Sequence, residues 1–112
     1  MKSVAEKIIC EHYGVTRYQI LGRGRTGQVA WARQVGYWIF RDCFQMSGPT
    51  IASWFGRSQP RTVYAGIQNV QDVMDTDRVA KADLLALKAQ IMGAVAKPIA
   101  DSQTPQPNNL YE

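Results

Sequence analysis

No stretch of this 112-residue chain combines the length and apolarity of a membrane span, which needs about 18 residues. No signal-peptide pattern opens it either: Met1–Lys2 leads into Ser3–Glu6, and Lys7 and Glu11 follow. The chain therefore reads as soluble and cytoplasmic. Cysteine is scarce. Cys10 and Cys43 stand 33 positions apart, which excludes a CxxC pair and any metal spacing. Both are expected as free thiols packed as small hydrophobes. Histidine occurs once, as His12, and no nucleophile lies at a recognisable spacing from it, so an enzyme is not expected. The acids Asp72, Asp75, Asp77 and Asp83 lack the alternate ligands and closing glutamate of a calcium loop, and read as helix caps and dipole partners. A GxxxxGK[ST] phosphate loop is missing, which excludes a P-loop ATP switch. Gly22, Gly24 and Gly27 follow no strand and make no dinucleotide fingerprint. No cofactor is expected.

The most informative shortage is of negative charge. From His12 to Gln71 there is one acid, Asp42, and no lysine, against seven arginines: Arg17, Arg23, Arg25, Arg33, Arg41, Arg57 and Arg61. Residues 1–61 carry nine basic and three acidic groups, a net +6, and residues 62–112 carry four and six, a net −2. The planar guanidinium fork suits phosphates and base edges bidentately. A block this lopsided predicts a strong positive field, and nucleic acid is the partner class it favours.

What the chain does have is helix. Hydrophobic residues make up 46%, enough for a core. Val4, Ile8, Ile9 and Tyr13 fall at helical spacing before Gly14, a glycine stop. Thr16-Arg17-Tyr18-Gln19 is a capping-box pattern for a short helix to about Leu21. Gly22 to Gly27 reads as a mobile basic loop. A long helix is predicted from about Gln28 to Gln45, with Val29, Ala32, Gly36, Ile39, Phe40 and Cys43 on one buried face, thickened by Trp31, Tyr37, Trp38 and Phe44. Gly36 there implies close approach of a neighbouring helix. Ser47 caps a helix over Pro49–Trp54; Phe55-Gly56 ends it. Ser58 or Gln59 caps the next, which starts at Pro60 and runs to about Asp72 with Val63, Ile67, Val70 and Met74 on its apolar side. Asp75-Thr76-Asp77 breaks that helix or caps a last one, about Arg78 to Ala96, built on Leu84, Leu87, Ile91 and Val95. Its other face adds Leu85 and Met92. No strand pattern occurs. The fold class is all-α: a small helical bundle with a helix-turn-helix over residues 1–75, an extra C-terminal helix over 76–97 and a disordered tail over 98–112.

The two short helices joined at Gly56 suggest the helix-turn-helix itself, with Ile51, Ala52, Val63 and Ile67 as its internal anchors. At these residues the chain resembles a known family. Tyr13 to Val70 is similar to the DNA-binding C-terminal domain of the bacterial replication initiator DnaA. The matching pieces are Ala32-Arg33-Gln34, Ser47-x-Pro49-x-Ile51, Phe55-Gly56 and Thr62-Val63, and the basic loop also fits. The resemblance implies that Arg25 enters a minor groove, that Arg33, Gln34 and Thr62 hold phosphates, and that Pro49 lies at the duplex surface. Where the family reads bases with an Arg-Asp-His-Thr-Thr run, this chain has Ser58-Gln59-Pro60-Arg61-Thr62, and only the final threonine agrees. The scaffold looks kept and the reading head changed, so the preferred site is expected to differ from the initiator's usual box.

The expected function is sequence-selective binding of double-stranded DNA as a transcription or replication regulator, nucleoid-associated and without ATPase activity. Gln59, Arg61 and Tyr64 are expected at base edges; Arg41, Arg33, Gln34 and Thr62 on the backbone; and Arg23, Arg57, Ser58 and Pro49 complete the DNA-binding set. The alternative is a protein-interaction module that binds a replication or regulatory protein. Residues 78–96 are the candidate surface for a homodimer.

Overall fold

The computed structural model describes residues 2–22 and 27–96. The expectations for Arg23, Arg25 and the 98–112 tail lie outside the described residues. The described residues form six helices in order: α1 (Lys2–Tyr13), α2 (Arg17–Leu21), α3 (Gly27–Phe44), α4 (Gly48–Trp54), α5 (Pro60–Thr76) and α6 (Arg78–Ala96).

Local chemistry sets most boundaries. Gly14 closes α1 at φ +67, the left-handed position a side chain disfavours, and the Val15 amide returns to the Cys10 carbonyl at 3.0 Å. The capping box of α2 is formed in both directions: the Gln19 amide donates to Thr16 Oγ1 at 3.0 Å, and the Thr16 amide donates to Gln19 Oε1 at 2.9 Å. Ser47 caps α4 by accepting from the Thr50 amide. Gln59 occupies the N-cap of α5 without a side-chain bond; Pro60 next to it has no N–H to satisfy.

One boundary differs from expectation by a full turn. α5 continues to Thr76, whose hydroxyl donates back to the Asp72 carbonyl at 3.0 Å while Met74 still packs on the core. Of the acids expected as caps, Asp77 alone caps a helix start: its Oδ1 accepts from the Val79 and Ala80 amides at 3.0 and 3.1 Å. Asp72 instead accepts from Gln68, and Asp83 meets His12 of α1 at 3.2 Å.

α3 is the axle. Every residue from Val35 to Phe40 is buried, so the helix is encircled rather than buried along one face. It packs against each of the other five helices. Cys43, assigned to the buried face, is only half-buried. Burial pushes both thiols up, that of Cys10 with added effect from Glu6, which keeps them protonated packing groups. α6 covers α1 and α5 with Leu84, Leu87 and Ile91.

Glycines admit two rings into this core. A Cβ on Gly36 would lie 2.8 Å from Phe55 Cζ, so the close approach there is by an aromatic ring at the end of α4. A Cβ on Gly66 would lie 2.6 Å from Tyr37 Cδ2 and 3.1 Å from Gln34 Cγ. Gly66→Ala is therefore expected to destabilise the protein by about 1–3 kcal/mol through overpacking, outweighing the ~1 kcal/mol gained in helix propensity. The denaturant midpoint measures this, and an unchanged or raised midpoint would contradict it.

Candidate nucleic-acid interface

The helix-turn-helix is built as the sequence implies. Ile51 and Ala52 of α4 and Val63 and Ile67 of α5 are buried. Between them Gly56 takes φ +68, and the Arg57 amide closes the turn on the Ala52 carbonyl at 2.7 Å. Phe55 plugs the angle from inside, 5.0 Å from the Tyr37 ring and 5.3 Å from Phe40. The turn and first residues of α5 are thereby held out from the body. Ser58, Gln59, Arg61 and Thr62 are all exposed.

The remaining expected residues fall into two groups. Pro49, Arg41 and Tyr64 are exposed beside this tip, with the Arg41 guanidinium 5.6 Å from the centre of the Tyr64 ring. Gln34 is half-buried one helix away, and its Oε1 accepts from Asn69 Nδ2 at 2.7 Å. That bond directs the Gln34 amide nitrogen away from Asn69 as the available donor. Neither Arg41 nor Arg61 pairs with a carboxylate among the described residues. The only acid of the arginine block, Asp42, is engaged by the Lys88 ammonium of α6, and this hydrogen bond pushes Lys88 up.

Arg33 and Arg57 are placed differently from expectation. Arg33 is 9% exposed. Its Nε donates to the Ile20 carbonyl at 2.8 Å and a terminal nitrogen donates to the Gln19 carbonyl at 3.1 Å. Arg57 is half-buried and donates to the Gly22 carbonyl. Both guanidiniums thus converge on the C-terminal end of α2, where unpaired carbonyls and the negative end of the helix dipole attract cations. Burial lowers the Arg33 pKa, and the neighbouring Arg57 charge lowers it further. Arg33 is thus a buried tie between α3 and α2. Arg57 ties the helix-turn-helix turn to the residue before the basic loop. Arg17, counted in the block, is paired with the buried Glu6 at 2.6 Å.

Sequence reasoning missed three residues. Glu6, 4% exposed, accepts from Trp54 Nε1 at 3.1 Å as well as from Arg17, and so joins α1, α2 and α4. Asn69 orients Gln34. Lys2 stands 5.3 Å from the Trp54 ring centre and lines a groove with the exposed Pro49, Thr50 and Ser53, which adds a cation beside α4. The available signal was a polar or charged residue amid an apolar spacing, but nothing in the sequence names its partner.

Among the described residues no cluster of His, Cys, Asp or Glu could hold a metal, and no helix is long and apolar enough to cross a membrane.

Comparison with known proteins agrees with this geometry. The pattern of the family described as "Bacterial dnaA protein helix-turn-helix" matches residues 4–70. The chromosomal replication initiator protein DnaA of Thermomicrobium roseum is 26% identical over 92 residues, 82% of this chain and 20% of that protein. The protein of the same name from Pseudothermotoga lettingae is 33% identical over 88 residues, 78% of this chain and 20% of its own length. That of Thermus thermophilus is 30% identical over 80 residues, 71% of this chain and 18% of its own. The chain spans about a fifth of the length of these curated relatives.

Proposed function

The chain belongs to the bacterial DnaA helix-turn-helix family, a DNA-binding fold, and from that premise we propose that it binds double-stranded DNA sequence-selectively. α5 enters the major groove, with Gln59 and Arg61 at base edges, while Thr62, Gln34, Arg41 and Pro49 lie against the backbone. The role is replication-origin binding or transcription regulation. This chain carries no P-loop, so the reading includes no ATPase step. The observation that carries it is the exposed tip of α5 on a buried helix-turn-helix, with Arg41 and Arg61 pairing with no carboxylate among the described residues.

The test is fluorescence anisotropy on duplexes selected from a random pool, at a series of salt concentrations. A log–log slope of about −0.9 per phosphate neutralised is expected. Affinity that does not change with salt would overturn the reading. A second reading, contact with a replication protein or another copy of the chain, is favoured by the exposed Val79, Leu85 and Met92 of α6. Pull-down that succeeds while duplex binding fails would support it instead.

A further inference from the structure

We propose that Tyr64 is a positioning residue, whose ring, seated on the Gly48 backbone, holds the Arg41 guanidinium at a seat for a DNA phosphodiester. The inference deepens the DNA-binding reading and rests on it. Gly48 is buried, and a Cβ there would lie 2.4 Å from both Cζ and the hydroxyl oxygen of Tyr64. The absence of a side chain at position 48 is therefore what lets the ring settle on the start of α4. Arg41 stands 5.6 Å from the centre of that ring, within reach of cation–π attraction.

The other wall is equally fixed. Gln45 follows α3 with φ 52, its backbone amide donating to the Arg41 carbonyl at 3.0 Å and its Nε2 donating to the Asp42 carbonyl at 2.9 Å. Arg41, Gln45, Met46, Ser47 and Tyr64 enclose a groove of about 390 Å³. It offers the Arg41 guanidinium and the second Nε2 hydrogen of Gln45, and no carboxylate of the described residues lines it. Asp42, adjacent in sequence, is held by Lys88. A phosphodiester oxygen matches that donor set. A long arginine left unsupported would sample many rotamers; the ring removes that freedom before DNA arrives. Tyr64 thereby acts through Arg41 instead of reading a base.

Two measurements test this on the full chain, with circular dichroism confirming that each variant is folded. The first needs no DNA: the Arg41 Nε–H resonance is expected to carry a ring-current shift that persists in Tyr64→Phe and vanishes in Tyr64→Ala. A resonance indifferent to Tyr64→Ala overturns the stack. The second is the salt slope on a selected duplex. Arg41→Ala is expected to make the slope shallower by about 0.9. Tyr64→Ala should give much of the same change, Tyr64→Phe little, and Arg41→Ala made in the Tyr64→Ala background almost nothing further. Fully additive losses, or an altered preference at one base pair in Tyr64→Phe, overturn positioning in favour of base reading. A normal resonance shift in a protein that binds no duplex leaves the stack standing and overturns the DNA reading, and the phosphate seat with it.

Discussion

Replacing Phe55 with alanine is expected to lower the unfolding free energy by about 3–5 kcal/mol. The ring is 1% exposed at the junction of α4 and the turn. It meets Tyr37 edge-on at 89°, lies 5.3 Å from Phe40 and fills the space that the missing side chain of Gly36 leaves open. Its edge-on neighbour Tyr37 is itself seated on Gly66 and so is held from collapsing into the void. Domains of this size are stable by roughly 5–15 kcal/mol, so the loss is a large share of the total. Each kcal/mol corresponds to about 4–8 °C in Tm for a domain of 60–100 residues, and thermal and denaturant melts measure it. Phe55→Leu should lose much less. A loss below about 1 kcal/mol for alanine would show that the angle between α4 and α5 is set elsewhere.

Arg61→Ala is expected to weaken binding to a selected duplex by about 1–3 kcal/mol and to relax preference at one base pair. Arg61 is exposed in the first turn of α5 and pairs with no carboxylate among the described residues. Its side chain adds nothing to the core, so folding should be unaffected. Guanine O6 and N7 match its two parallel donors. The comparison that decides is the same variant on random duplex: an equal loss there would assign Arg61 to a phosphate instead. Gln59→Ala on the same duplexes supplies the neighbouring position.

How legible this was depended on the range of the interaction. Gly14, the Thr16–Gln19 box, Ser47 and Gly56 are stops, caps and bends decided within four or five residues, and each stands where its local chemistry places it. The core residues Ile51, Ala52, Val63 and Ile67 were legible from spacing, because a period of 3.6 marks the inward face whatever lies opposite. The all-round burial of α3 was not, since periodicity records one face and its neighbours are contributed by distant segments. The partners of polar groups were least legible. Nothing local to Arg33 or Arg57 marks the α2 carbonyls as their destination, 13 and 35 residues away respectively. Glu6 and Trp54 are 48 residues apart. The resemblance to the initiator family located the exposed tip, while the charge count could not separate the exposed Arg41 and Arg61 from Arg33 and Arg57, which turn to backbone carbonyls.

Among the described residues the tip of α5 makes no side-chain bond to the body: Gln59 caps by backbone alone, and Ser58, Arg61 and Thr62 stand in solvent. Address and architecture are consequently separable in this molecule. Exchanging the residues at 58, 59, 61 and 62 is expected to change which duplex is preferred without disturbing the interior that presents them, which binding selections and melts of the exchanged variants measure.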